Sequence, residues 1–239
     1  MEGVIKKKQS PNFFPLIKKL KAKLDIHTLE VIKNSSYSLI IKLVGLILFF
    51  LISVFLGRIL GASGLGVINL ANQLIALMLV FSLIGMPQVI VKEVSVAFNN
   101  KNWKYIGNIM NTSYILNGSI SIIISLIIVL NAQWISEVLF DEPRLKYPLL
   151  IGAMAMTPQL FSRIFSSGLI GFNKIWQSQL VDQALSMLII AFALLCLWLL
   201  NYNISIYLVA IIYAIGRICV VLSVGIYWKK LFTKKDKRT

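Results

Sequence analysis

Residues 183–216 read QALSMLIIAFALLCLWLLNYNISIYLVAIIYAIG and contain no Asp, Glu, Lys or Arg. Two other long stretches, residues 59–91 and 105–136, also lack charged side chains. A water-soluble domain of 239 residues needs charged groups on its surface. Because about 20 apolar residues suffice to cross the hydrocarbon core of a bilayer as a helix, these stretches predict an all-α protein that crosses a membrane several times.

The composition supports a membrane protein and argues against a nucleic-acid-binding one. The hydrophobic fraction is 58% and the mean hydropathy is +0.81, whereas soluble proteins are about 45–50% apolar. The 24 Lys and Arg residues outnumber the 9 Asp and Glu residues. Many of these basic residues lie before residue 37 or after residue 228, where they flank apolar segments as expected for membrane orientation.

The apolar runs and the breaks between them predict six spans, over residues 37–57, 67–85, 106–130, 147–170, 176–200 and 204–228. Residues 57–66 carry four glycines, which indicates a tight turn between spans one and two. Gly85-Met86-Pro87 ends span two, and a short helix over residues 88–98 follows. Pro158 predicts a kink in span four.

Three regions follow from this pattern: a basic tail over residues 1–36, a six-helix lobe over residues 37–228, and a second basic tail over residues 229–239. Apolar residues at roughly helical spacing within residues 11–33 suggest an amphipathic helix on the membrane surface, with a mobile tail as the alternative.

The charge of the links predicts the orientation of the chain. The links after spans two and four are basic, through Lys92, Lys101, Lys104, Arg163 and Lys174. The link after span three is net negative, and the link after span five has no charge. Basic links lie on the cytoplasmic side of a membrane, so both termini are expected in the cytoplasm.

Four charged residues lie within the predicted spans, where charge is costly and usually functional or paired. Lys42 lies about one and a half turns from the start of span one, close enough to the cytoplasmic surface to reach the headgroups. Span four ends and span five begins on the cytoplasmic side, and Arg163 and Asp182 each lie roughly 10 Å in from that side. They form either a structural ion pair or a polar patch on a water-filled cavity. Arg217 lies deepest and needs a partner, water or an anionic ligand.

Polar residues in spans two and three offer further faces for such a cavity, or hydrogen bonds between helices. They are Asn69, Asn72, Gln73, Asn108, Asn111 and Asn117. We expect no histidine-based metal site, since the lone histidine, His27, lies in the tail.

Residues 57–93 read GRILGASGLGVINLANQLIALMLVFSLIGMPQVIVKE. This stretch resembles the N-terminal region of polysaccharide flippases of the multidrug/oligosaccharidyl-lipid/polysaccharide exporter superfamily. The residues that carry the resemblance are Arg58, Gly61, Gly64, Gly66, Gly85 and the pair Lys92-Glu93.

The resemblance implies one six-helix lobe of a two-lobed exporter, either truncated or paired with a second lobe. It implies flipping of a lipid-linked oligosaccharide, of undecaprenyl type, across a bacterial or archaeal cytoplasmic membrane by alternating access, with membrane lipids as further partners. Arg217 and Arg163 are then the candidates for a cationic cavity, with Asp182 and Lys42 beside them. We also expect no cofactor and no catalytic residues, because moving a solute across a membrane makes and breaks no covalent bond.

Three alternatives stay open at the level of the sequence. The first is a small-molecule or multidrug exporter of the same superfamily. The second is a membrane-embedded glycosyltransferase or polymerase, which the short link over residues 131–146 disfavours. The third is a membrane scaffold without transport activity, or an inactive truncated remnant.

Overall fold

The computed structural model describes the backbone of residues 26–236 and the side chains of residues 35–182 and 184–227. Every regular element within residues 26–236 is helical. The helices are α1 (Ile26–Leu83), α2 (Met86–Asn99), α3 (Trp103–Trp134), α4 (Lys146–Met154), α5 (Met156–Gly171), α6 (Ile175–Gln179), α7 (Leu185–Leu199) and α8 (Ile206–Asp236).

Spans one and two are the two halves of α1, and the chain reverses direction between them at Gly61. Gly61 has φ 72° and ψ 173°, a conformation that essentially only glycine adopts. Leu46 and Gln73 line one cavity, although a straight helix would separate them by roughly 40 Å. The predicted ten-residue link over residues 57–66 is therefore wrong in extent, since helix continues on both sides of Gly61.

Span four is broken at Ala155, which separates α4 from α5. Proline lacks an amide hydrogen and its ring clashes with the carbonyl four residues earlier. For Pro158 that carbonyl belongs to Met154, the last residue of α4. The predicted kink thus lies one turn before the proline that causes it.

Four helical segments of the described chain are long and apolar enough to cross a bilayer: Ser35–Leu83, Trp103–Leu139, Ile175–Leu199 and Ile206–Tyr227. The first contains two crossings because it reverses at Gly61. Helices α4 and α5 together extend about 39 Å at 1.5 Å per residue, which is enough for another crossing. The predicted order of six spans therefore fits the helices, with spans three, five and six formed by α3, α6–α7 and α8.

The even-numbered spans begin at one end of the bundle, which we call the Gly61 end. There, a Cβ added to Gly64 would lie 3.6 Å from Ile206. The rings of Tyr147 and Tyr207 pack edge to face, with centroids 5.2 Å apart. These contacts join the starts of spans two, four and six.

The opposite end, which we call the Phe172 end, is held by aromatic packing. Phe98 at the end of α2 packs edge to face on Phe172, with centroids 5.3 Å apart. Trp103 stacks on Phe172 at the start of span three. Lys174 Nζ donates a hydrogen bond of 3.2 Å to the hydroxyl of Tyr227, which brings the end of span six to the same place.

The two largest of four apolar clusters among the described residues make up most of the core. The larger joins α2 and spans two, three and four through Ile75, Val94, Met110 and Leu160, among others. The second joins spans one, five and six with the start of span two, and includes Ile52, Ile68, Leu194 and Val209. Two smaller clusters complete the core, one around Phe165 and Leu169 and the other around Val67 and Leu145.

Two of the turns between helices lie where the sequence predicts breaks between spans. Ile84 and Gly85 have positive φ and separate span two from α2, in which Pro87 lies in the first turn, where a proline is tolerated. Asn201 also has positive φ in the turn between spans five and six. The predicted surface helix over residues 11–33 and the basic tail over residues 229–239 lie outside the described side chains, and the three-region division of the chain stays a prediction.

Candidate functional site

A polar cavity of about 440 Å³ lies among spans one, two, four, five and six. Its volume falls within the range of small-molecule sites, about 300–1,000 Å³. Gly45, Leu46 and Phe49 form the wall from span one. The polar lining residues come from the other four spans: Asn69, Asn72, Gln73, Gln159, Ser162, Arg163, Asp182, Ser186, Tyr213 and Arg217.

Arg217 connects span six to span two inside this cavity. Its Nη2 donates a hydrogen bond of 3.0 Å to Oδ1 of Asn72. Tyr213 lies one helical turn earlier and lines the cavity beside it. A guanidinium carries five N–H donors, so the bond to Asn72 leaves donors that can meet an anionic group in the cavity.

Arg163 and Asp182 form a loose ion pair between spans four and five. Arg163 Nε lies 3.7 Å from Oδ1 of Asp182, and the two side chains are 37% and 30% exposed. Both residues line the large cavity and a second, polar cavity of about 330 Å³ toward the Phe172 end. A partly open pair at this distance leaves both groups accessible to solutes in either cavity.

Span five carries a π-helical turn over Leu180–Ala184, with Asp182 at its centre. A π-helical turn holds an extra residue, which shifts the helix faces on its two sides relative to each other, and such turns often occur at functional sites. Sequence reasoning treated span five as one regular helix and missed this feature, since nothing in its apolar pattern marks the turn.

Sequence reasoning also missed four polar lining residues: Gln159, Ser162, Ser186 and Tyr213. Their spacing carried a signal, because Gln159 precedes Ser162 by three residues and Arg163 by four. Ser186 follows Asp182, and Tyr213 precedes Arg217, by four residues each. Residues three or four apart share a helix face. The side-chain oxygen Oε1 of Gln159 is buried without a hydrogen-bond partner.

Other predicted positions lie outside the cavity. Lys42 is exposed, one turn from Gly45 on the cavity face of span one. The asparagines of span three do not line the cavity; Asn117 is buried and donates to the Ser113 carbonyl at 2.9 Å, while Asn108 and Asn111 are exposed.

The residues that carry the family resemblance lie at the two ends of the bundle. Arg58 and Lys92 are exposed, and Glu93 accepts a hydrogen bond of 3.1 Å from the Tyr105 hydroxyl. A Cβ added to Gly64 would lie 2.8 Å from Cβ of Leu60, whereas Gly66 has no neighbour within 4 Å of such an atom. Gly61 and Gly85 both adopt positive φ.

Comparison with known proteins gives a family for most of the chain. The family model described as "Polysaccharide biosynthesis protein" matches residues 31–239. Among curated proteins, nothing matches this chain.

The fold is similar to that of solved transporters. A crystal structure of MATE in the straight conformation has a TM-score of 0.73 at 15% identity, covering 95% of this chain and 53% of that one. The outward-facing conformation of a multidrug resistance MATE family transporter of the MOP superfamily has a TM-score of 0.72 at 16% identity, covering 91% of this chain and 49% of that one. The chain therefore spans about half the length of the solved transporters it matches, and its fold corresponds to a single lobe.

Proposed function

The chain belongs to the polysaccharide biosynthesis protein family, and we propose that it works in a transporter that moves a lipid-linked oligosaccharide across the cytoplasmic membrane. The cavity that contains Arg217 is the observation that carries this proposal. The lipid is of the undecaprenyl class, with sugars attached to an anionic pyrophosphate. A second six-helix lobe, resembling this one, provides the opposite wall of the transport path.

The cavity lowers the barrier that such a head group meets in hydrocarbon. Each polar group transferred from water to an apolar medium without a hydrogen-bond partner costs roughly 2–7 kcal/mol, depending on the reference state. The amides and hydroxyls of the cavity replace water for the sugars. Arg217 and Arg163 supply charge-assisted hydrogen bonds to the pyrophosphate, and Asp182 limits the affinity by competing for Arg163, which permits release.

We place the Phe172 end of the bundle in the cytoplasm. Lys92, Lys101, Lys104 and Lys174 lie toward that end, and lysines near the ends of spans favour the cytoplasmic side. Span one begins at this end and span six finishes there, so the tails before and after the lobe are cytoplasmic in this orientation. Lys42, near the start of span one, then lies between the anionic headgroups and the cavity.

The test replaces Arg217 with Ala in the native strain and measures surface polysaccharide together with the amount of protein in the membrane. We expect surface polysaccharide to fall roughly tenfold or more, because a hydrogen bond to a charged group contributes about 1.5–3 kcal/mol. Arg58→Ala is the matched control, since Arg58 is exposed at the Gly61 end, outside the cavity. Normal surface polysaccharide in the Arg217→Ala strain, at equal protein level, would overturn the proposal.

Export of a small organic molecule is the second candidate, and the size of the cavity favours it. A volume of about 440 Å³ suits a drug-sized solute, and Asp182 offers a carboxylate to an organic cation. Drug susceptibility of the deletion strain separates the two functions. Increased sensitivity to cationic drugs with unchanged surface polysaccharide would favour this candidate over the first.

A further inference from the structure

An apolar groove of about 250 Å³ runs along the surface between spans one and five. All the residues that line it are apolar. Ile52 and Leu194 form its floor and are only 4% and 2% exposed, while Leu51, Leu195 and Trp198 stand at its rims and are 53–56% exposed. The groove is therefore a depression with a packed floor, open at the surface of the lobe.

The groove lies directly beyond the wall of the polar cavity. On span one, Phe49 lines the cavity while its neighbour Leu48 lines the groove. On span five, Ile190 lines the cavity while the next residue, Ala191, lines the groove. Adjacent residues of this one pair of helices thus line the polar cavity and the apolar groove.

Both helices place the two features in the same order along the bundle. From the Phe172 end toward the Gly61 end, span one contributes residues 45–49 to the cavity and residues 48–55 to the groove. Span five contributes residues 181–190 to the cavity and residues 191–198 to the groove. The groove extends about 10 Å along each helix at 1.5 Å per residue.

This order matches the orientation of a lipid in one leaflet only. A lipid of the leaflet at the Phe172 end points its head group toward that end and its hydrocarbon chain toward the Gly61 end. With its anionic head beside Arg163 and Arg217, such a lipid directs its chain toward the groove. A lipid of the opposite leaflet would have its head at the apolar groove and its chain at the polar cavity.

We infer that the groove between spans one and five binds the hydrocarbon chain of the anionic lipid whose head group enters the cavity. The inference rests on the proposed function, and it adds a second subsite and a direction of loading, from the leaflet at the Phe172 end. The polar cavity holds the head group, while the chain lies in the groove on the outer surface of spans one and five and never enters the polar interior.

The test is photolabelling of the full chain in lipid nanodiscs with two probes. One is a polyprenyl diphosphate with a diazirine in its chain, and the other is a phosphatidylcholine with a diazirine in an acyl chain. Mass spectrometry locates the labelled residues. We expect the polyprenyl probe to label the peptides of Leu51 and Leu195 roughly tenfold more than the peptide of Ile122, an exposed residue of span three. A tenfold ratio corresponds to a binding preference of about 1.4 kcal/mol for the groove. The phosphatidylcholine probe should show no such preference.

A variant that fills the groove provides a second, independent readout. Ala191→Trp adds a large ring to the lining of the groove and should reduce groove labelling roughly tenfold, in proportion to the lost affinity. Ile122→Trp is the matched control and should leave groove labelling unchanged. Equal melting temperatures of the two variants show that Ala191→Trp has not unfolded the protein.

The outcomes distinguish a failure of the groove inference from a failure of the proposed function. Equal labelling of the groove by both probes, or polyprenyl labelling spread evenly over exposed apolar residues, would overturn the inference and identify the occupant as bulk lipid. If binding of the polyprenyl probe depends on Arg217 but its label falls outside the groove, the inference is wrong while the proposed function stands. If the polyprenyl probe labels the groove but the Arg217→Ala strain makes normal surface polysaccharide, only the transport proposal is contradicted.

Discussion

At the scale of single residues, the arginines of the cavity have different partners and so different roles. Arg217 has a neutral acceptor, Asn72 at 3.0 Å, while Arg163 has an anionic partner, Asp182 at 3.7 Å. A charge paired with a neutral group keeps its full charge for a ligand. A charge paired with a carboxylate is partly neutralised. Arg217 is therefore the stronger candidate for binding an anion.

Replacing Asn72 with Leu tests the support of Arg217. The change removes the only hydrogen-bond acceptor that we observe for Arg217 among the described residues, and it should lower the free energy of unfolding by about 1–3 kcal/mol. Thermal unfolding of the detergent-purified protein measures this effect. Gln73→Leu is the matched control, because Gln73 is a more exposed lining residue of the same span. A larger loss in Gln73→Leu than in Asn72→Leu would contradict the assignment.

Asp182 and Arg163 should contribute little to stability as a pair. At 3.7 Å, with both side chains about one third exposed, we expect a coupling energy of at most about 1 kcal/mol. A double-mutant cycle with Arg163→Gln and Asp182→Asn measures it. A coupling energy of several kcal/mol would identify the pair as a structural bridge rather than as two groups open to the cavity.

At the scale of helices, the reversal at Gly61 depends on one residue. Its φ of 72° and ψ of 173° lie in a region where a side chain costs about 1–3 kcal/mol, although an added Cβ would meet no atom within 4 Å. Gly61→Ala should therefore destabilise the protein through its backbone alone.

Gly66→Ala is the matched variant for this prediction. Gly66 also has open space for a Cβ, but it lies in a regular helix, where alanine is favoured over glycine by about 1 kcal/mol. We expect thermal unfolding at a lower temperature for Gly61→Ala and at an equal or higher temperature for Gly66→Ala. Equal stability of the two variants would show that the turn at Gly61 does not require glycine.

The sequence predicted most of the helical order but less of the local geometry. Apolar length defined the six spans, and the glycine and proline at residues 85 and 87 defined the end of span two. The single-residue turn at Gly61 was not predictable, because four glycines in residues 57–66 mark a flexible stretch without saying which one turns. The π-helical turn at Asp182 has no compositional signal.

The site was predictable in part, for the same physical reason. A charge within an apolar span must find a partner or water, so Arg163, Asp182 and Arg217 could be selected from the sequence, and the structure lines one cavity with all three. The asparagines of spans two and three look alike in sequence. Only the packing of the helices distinguishes Asn72, which lines the cavity, from Asn117, which is buried between helices.

At the scale of the whole molecule, the arrangement of its ends predicts which links are accessible from each side of the membrane. Lys101 lies at the Phe172 end and Asn201 at the Gly61 end. Starting from a variant in which Cys196 and Cys219 are Ser, we introduce Lys101→Cys or Asn201→Cys in turn. A membrane-impermeant maleimide should label position 201 in intact cells and position 101 only after permeabilisation. Labelling of both positions from one side would contradict the order of spans.

The proposed transport depends on binding of the anionic head of a lipid-linked saccharide in the cavity around Arg217, and this binding can be measured directly. The measurement is the equilibrium affinity of the purified full chain for a fluorescent polyprenyl-diphosphate-linked saccharide. For Arg217→Gln we predict an affinity roughly tenfold or more below that of the unmodified protein, as expected for a lost charged hydrogen bond, while Arg58→Gln should bind normally. An unchanged affinity in Arg217→Gln, or an equal loss in Arg58→Gln, would contradict the claim.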